Sequence, residues 1–171
     1  MRKVILCGAS CSGKTTIKQM LVEQGFLPGV SYTTRSMRPG EIEGTDYRFI
    51  SKERFVELIE SGFFFEYDDA FEDYYGTSNE DFQRYDVFIL TPKAVRKLKD
   101  SGLLSGCVVI QLTAPLHERI KRAFERGDSI GKIMSRISAD NKTFSGFSDY
   151  DMVLENRDGN IEELLTIIKK Q

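Results

Sequence analysis

The chain has one histidine and three cysteines in 171 residues, no excess of either charge, and no apolar run long enough to span a bilayer. A lone histidine without a placed partner offers no catalytic base, and His117 reads as a first-turn residue of a helix. The cysteines are odd in number, and Cys7 and Cys107 fall on strand-like runs, so no disulfide framework is expected and both read as small core residues. Cys11 stands apart: beside a helix N-terminus it is either a reactive thiol or an inert loop residue. With 24 Lys and Arg against 26 Asp and Glu, the net charge of −2 provides no global basic field for nucleic acid or an anionic membrane. Any phosphate site must therefore be local. Met-Arg-Lys runs into the first strand-like run without a long apolar region or cleavage site, so the expected location is the cytoplasm. Repeats, low-complexity tracts and Pro/Gly/Ser linkers are also lacking, which leaves one unit with room for one core and a small inserted subdomain.

What is present begins with Gly8 to Thr15, reading GASCSGKT, which fits the phosphate-binding pattern G-x-x-x-x-G-K-[ST]. The apolar run Lys3 to Cys7 before it suits a buried strand, and the spacing of Thr16 to Glu23 after it suits a helix. Gly8 and Gly13 let the backbone turn so that the N–H groups of Ala9, Ser10, Cys11, Ser12 and their neighbours converge near a helix N-terminus. Lys14 reaches the terminal phosphates of a nucleotide, and the Thr15 hydroxyl is placed to ligate Mg²⁺.

The first helix is expected to end at Gly25. From Val30 to Thr77 the character changes: short runs at Val30 to Thr34, Tyr47 to Ile50 and Phe63 to Phe65 surround one helix from about Lys52 to Glu60. This reads as a β-rich lobe inserted into an α/β unit. The α/β rhythm resumes with Val87 to Leu90, then a helix capped by Thr91 with Pro92 first and ended by Ser101-Gly102, then a strand from Val108 to Leu112. A helix from Thr113-Ala114-Pro115 to about Arg126-Gly127, an amphipathic segment Ile130 to Phe144, a strand Met152 to Leu154 and a capped helix from Asn160 to Lys170 complete the chain. That order implies a parallel sheet flanked by helices with its ligand at the carboxyl ends of the strands.

Three further groups bear on anions and bases. Arg35 and Arg38 stand beside hydroxyls before a turn, as solvated hairpin residues or as holders of a second phosphate. Glu66, Tyr75 and Thr77 are either an acidic and aromatic strand edge or a purine-reading set, because a carboxylate accepts from guanine N–H groups and a hydroxyl donates to its O6. The basic run Arg119, Lys121, Arg122, Arg126, Lys132 and Arg136 is either a solvated face or part of a segment that closes over ATP.

Together these residues resemble the guanylate kinases, a family of P-loop nucleoside monophosphate kinases, over nearly the whole chain. Ser31 to Ser51, SYTTRSMRPGEIEGTDYRFIS, is similar to the acceptor signature S-x-T-T-R-x-x-R-x-G-E-x-x-G-x-D-Y-x-F. The resemblance implies a P-loop NTPase-type core (1–29 and 78–171), an acceptor-binding lobe (30–77) and a helical lid (about 122–147). It implies ATP-dependent phosphorylation of GMP, with dGMP as a further acceptor, by in-line transfer with Mg²⁺. Arg35, Arg38 and Tyr47, with Tyr75, would bind the GMP phosphate, and Ser31, Glu66 and Thr77 would read guanine. ATP would lie on Gly8 to Thr16 with Asn156 near adenine. Lys14, Arg35, Arg122, Arg126 and Arg136 would supply the positive charge for transfer. Small nucleotides are the implied partners of a monomer or homodimer. One departure stands out: where the family ends a strand with Asp-hydrophobic-Asp, this chain has Ile89-Leu90-Thr91, so Thr91 brings a hydroxyl but no charge to the acceptor site. Asp68 and Asp69 are candidates to compensate. The span from Gly127 to Arg136 is slightly short, and a helix Ser138 to Phe147 lacks the family's acidic pattern. A same-fold kinase for another acceptor, and a non-catalytic binding module, are the rival readings. The intact Gly13-Lys14-Thr15 argues against the second.

Overall fold

Val4, Ile5, Leu6 and Cys7 are wholly buried, the mark of a central strand covered on both faces. They form β1 (Lys3–Gly8) in a computed structural model that describes residues 2–70 and 72–156. Then come α1 (Lys14–Glu23), β2 (Tyr32–Thr33), β3 (Arg48–Phe49), α2 (Lys52–Glu60), β4 (Phe64–Ala70), β5 (Asp73–Ser78) and α3 (Asn79–Arg84). The remainder is β6 (Val87–Ile89), α4 (Pro92–Asp100), a 3₁₀ turn at Leu103–Gly106, β7 (Cys107–Thr113), α5 (Leu116–Glu125), α6 (Ile130–Phe144) and β8 (Met152–Glu155).

The main sheet has the order β6-β1-β7-β8, every pair parallel, with Val4 level with both Val87 and Val108. The pleat of β1 sends Val4 and Leu6 onto Ile17 and Leu21 of α1, and Ile5 and Cys7 into the cluster of Ala94, Val95 and Leu98 of α4. Each such aliphatic side chain contributes roughly 1.5–3 kcal/mol when removed from water. Cys7 and Cys107 are core residues as expected, and burial pushes the Cys7 thiol up to about 12. Because β1 stops at Gly8 on the carboxyl edge of this sheet, the following loop is presented at that edge.

The segments between α1 and α3 build a second sheet, β3-β2-β5-β4, with β2 parallel to β3 and the other pairs antiparallel. β2 and β3 have only two residues each, and rings pack against the longer β4–β5 pair: Phe55 stacks on Phe64 at 4.4 Å and on Tyr74 at 5.3 Å between centroids. Lys52–Glu60 is helical as expected, with Ser51 accepting from Arg54 N at 3.2 Å. Other expectations need correction. The Val30 to Thr34 run yields only a two-residue strand, whereas β4 continues to Ala70 and pairs with β5, which apolar runs alone did not reveal. Ser78 caps the unexpected α3 by accepting from Asp81 N at 3.0 Å. Ser138 to Phe144 is the end of the single helix α6 and not the start of another. The helix expected at Asn160 to Lys170 lies outside the described residues. Among the described residues no helix is long and apolar enough to cross a membrane.

Candidate active site

The phosphate loop takes its shape from close approaches that only glycine permits. A Cβ on Gly8 would collide with the carbonyl of Leu112 on β7, and one on Gly13 would collide with the side-chain amide of Asn156. Gly13 also has φ 96°, and Cys11, at φ 60°, takes the left-handed region beside it. Gly13 stands at the N-cap of α1 without a capping side chain, and no acid lies in the first turn, so the helix N-terminus is left for an external anion. Gly13→Ala is therefore expected to lower stability by roughly 1–3 kcal/mol, from backbone strain and displacement of Asn156. A urea midpoint equal to that of the unaltered chain would contradict the strain.

Lys14 folds back over this loop. Its Nζ donates to Gly8 O at 2.7 Å and Ala9 O at 2.8 Å, which leaves one of its three donors for a phosphate oxygen. Burial holds its ammonium below the ordinary lysine value, with the Asp140 carboxylate opposing that trend. Thr15 and Thr16 are exposed, Thr15 towards the cleft, while Ser12 is fully buried. Asn156 braces the loop by donating from Nδ2 to Ser12 O at 2.9 Å.

Three side chains of the two helices after β7 dock on the same loop. Arg119 Nε donates to Ser10 O at 2.9 Å and its Nη2 to Asp140 Oδ2 at 2.5 Å. Asp140 accepts from Ser10 N at 2.9 Å and Ser10 Oγ at 3.2 Å, and Arg122 Nη1 donates to Cys11 O at 3.2 Å. Sequence reasoning passed over Asp140; its signal was the i, i+4 spacing from Arg136 on one face of α6. Arg126 and Arg136 converge on Asp128, with Arg126 Nε at 3.1 Å and Arg136 Nη1 at 3.5 Å from Oδ2.

On the inserted lobe, Glu41 organises the arginines. It takes Arg35 as a bidentate pair at 2.7 and 3.0 Å and accepts from Arg38 N at 2.7 Å. Arg35 lies over the rings of Tyr47 and Phe49, 5.3 and 5.6 Å from their centroids. Glu41 belongs to the acceptor signature but received no role from the sequence, because a bond from Arg35 is visible only once the turn closes. The Arg38 guanidinium is lowered by burial and by the positive charges of Arg35, Arg126 and Arg136, so the lobe arginine and the α5–α6 arginines face one space.

Glu66 on β4 pairs in register with Thr77 on β5, and Thr77 Oγ1 donates to Glu66 Oε1 at 2.8 Å. Burial, reinforced by the nearby Asp68, pushes the Glu66 carboxyl up to about 7. Tyr47 and Tyr75 are edge to face at 6.0 Å beside them. Thr91 caps α4, accepting from Ala94 N at 3.3 Å.

These groups surround a cleft of about 620 Å³. Gly8, Ser10, Cys11, Gly13, Lys14 and Thr15 line it from the phosphate loop, and Ser31, Arg38, Tyr47, Glu66 and Tyr75 from the second sheet and its loops, with Thr91 at the end of β6 and Arg122, Arg126 and Arg136 completing the lining. Ala9, Ser12, Thr16, Arg35, Thr77 and Asn156 do not line it. Of these, Arg35, Thr77 and Asn156 bond to groups that shape its walls. His117 is exposed at the start of α5, 3.6 Å from Glu118.

The guanylate kinase family model matches residues 1–171. The guanylate kinase of Aliivibrio fischeri is 36% identical over 165 residues, covering 90% of this chain and 79% of that protein. That of Syntrophus aciditrophicus is 33% identical over 161 residues, covering 90% and 77%. Among solved structures, guanylate kinase from Anaplasma phagocytophilum superposes with a TM-score of 0.72 at 26% identity, over 99% of this chain and 84% of that one. A phosphate loop facing an arginine-bearing inserted lobe, and sequence similarity along the full length, lead to one assignment: this chain belongs to the guanylate kinase family.

Proposed function

We propose that the chain transfers the γ-phosphoryl group of ATP to the phosphate of GMP, and of dGMP. The observation that carries this reading is the single cleft lined both by an anion-binding loop and by Arg38, Tyr47 and Glu66 of the inserted lobe. ATP phosphates occupy the N–H groups of Gly8 to Thr15, and the GMP phosphate binds Arg38, Tyr47 and Tyr75, with Arg35 fixing the turn that carries them. Ser31 and Glu66 read guanine, and Thr77, which does not line the cleft, holds the Glu66 carboxylate in place. Residues 30–77 act as the acceptor lobe and about 122–147 as the lid.

The acceptor phosphate is already anionic, so no side-chain nucleophile is required. Positioning and neutralisation of charge carry the rate; Lys14, Arg122, Arg126 and Arg136 supply the positive groups at the cleft, and Arg35, held by Glu41, supports them from behind its wall. The donor set suits Mg²⁺, a hard cation that takes few protein ligands and keeps several waters: Thr15 offers a hydroxyl towards the cleft at the loop's helical end. When bound there, Mg²⁺ would neutralise phosphate charge. Approach of lid and lobe excludes water and limits hydrolysis of ATP. A panel of GMP, dGMP, AMP, CMP and UMP with ATP and Mg²⁺ in a coupled ADP assay tests the reading. The expected result is turnover of GMP and dGMP well above the rest; equal turnover of AMP would overturn it.

A further inference from the structure

Asp68 brings a carboxylate into the cleft from a position the acceptor signature does not include. It lies two residues beyond Glu66 on β4, so the two side chains leave the same face of the strand. Thr91 Oγ1 donates to its Oδ2 at 3.3 Å, and Lys93 Nζ to its Oδ1 at 2.7 Å. Thr91 is the N-cap of α4, so the acid stands against the positive end of that helix. The lobe thus delivers an acid to the strand end where this chain has Thr91 in place of one.

On the reading of GMP as acceptor, we propose that Asp68 is a base-reading residue that accepts the second hydrogen of the guanine 2-amino group. Guanine presents N1–H and two amine hydrogens on one edge. Glu66 Oε1 already accepts from Thr77, and the rest of that carboxylate matches N1–H and the nearer amine hydrogen. The other amine hydrogen points away from N1, towards the sugar side. Along the hairpin, Glu66 is level with Thr77 and Asp68 with Tyr75, so the step from Glu66 to Asp68 runs from the base end towards the phosphate end. The second carboxylate therefore lies in the direction of the second hydrogen. Asp68, on the same face of β4, also helps raise the Glu66 carboxyl, and an amine shared between the two acids relieves their repulsion.

IMP lacks the 2-amino group and is otherwise the same ligand on that edge. Binding of GMP and IMP is measured by calorimetry at pH 8, where Glu66 is ionised. D68A is expected to weaken GMP about tenfold while IMP changes by less than about twofold, and D68N, which keeps an acceptor oxygen, to fall between. K93A severs the ion pair from lobe to α4 but leaves the carboxylate, and is expected to keep the GMP-to-IMP ratio. If D68A weakens both ligands alike, changes neither, or is matched by K93A in collapsing the ratio, Asp68 is a structural tie and the inference is wrong. Failure of the unaltered chain to phosphorylate GMP would overturn the acceptor reading together with it, whereas an active chain with an unchanged ratio would overturn the role of Asp68 alone.

Discussion

Lys14→Ala is expected to lower kcat for phosphoryl transfer from ATP to GMP by at least about a hundredfold, the usual cost of removing one preorganised donor to developing charge. The ammonium lies between the carbonyls of Gly8 and Ala9 at 2.7 and 2.8 Å, so its position is set before ligand arrives and little reorganisation remains for the reaction. It is also a desolvated group, held below the ordinary lysine value by burial, so its charge acts through a medium that screens poorly. The same burial predicts a small effect on folding. The two hydrogen bonds lost are offset by release from the cost of keeping a cation out of water, so the melting temperature should move by only a few degrees. The KM for GMP should change little, because Lys14 lines the cleft from the phosphate loop, and Glu66 and Arg38 from the inserted lobe. Steady-state rates with a thermal melt on the same preparation check all three outcomes, and a variant retaining most of its turnover would contradict the assignment of Lys14.

That prediction was available from the sequence because a phosphate loop is a local device. Gly8, Gly13 and the strand and helix around them meet backbone requirements within a short stretch of chain, and the pattern states those requirements directly. Thr91 and Pro92 announced α4 for the same reason: a side-chain cap and a missing N–H are decided by neighbours in the chain. The parallel sheet was legible from the alternation of buried runs with helical spacing. The β4–β5 hairpin was not, because Glu66, Asp68, Asp73 and Thr77 include three acids that are poor strand formers, and their extended state depends on cross-strand pairing. Residues that shape the site by contact across the fold were equally hidden. Glu41 could be seen as part of a signature but not as the partner of Arg35, and Asp140 stands 130 residues from the Ser10 amide that it holds. The departure at Ile89-Leu90-Thr91 was visible and Asp68 was named as a candidate to compensate, but its contact with Thr91 was not legible, since that acid comes from another sheet.

Glu66→Gln is expected to reduce the preference for GMP over AMP by roughly 10–100-fold, as hydrogen bonds to a charged acceptor contribute about 1.5–3 kcal/mol. A carboxylate accepts from both N1–H and the 2-amino group, while an amide must present its own NH₂ to part of that edge. The pH dependence separates this role from a packing role. Guanine selects the ionised form of a group whose carboxyl is raised to about 7, so kcat/KM for GMP should fall towards tenfold per pH unit below that value. Protonation of the GMP phosphate, near pH 6, adds a second step, which Glu66→Gln retains while losing the step near 7. Stability should show the same proton in reverse. The folded carboxyl, at about 7 against an ordinary 4.5, binds a proton more tightly than the unfolded one, so that contribution is complete below pH 4.5 and lost as pH rises through 7. Unaltered protein should therefore lose ground to Glu66→Gln by about 3 kcal/mol between pH 4.5 and 8, since each tenfold difference in proton affinity between the folded and unfolded chains is worth about 1.4 kcal/mol. Denaturation midpoints of the two proteins that stay parallel across that range, together with unchanged discrimination between GMP and AMP, would remove Glu66 from the base-reading site.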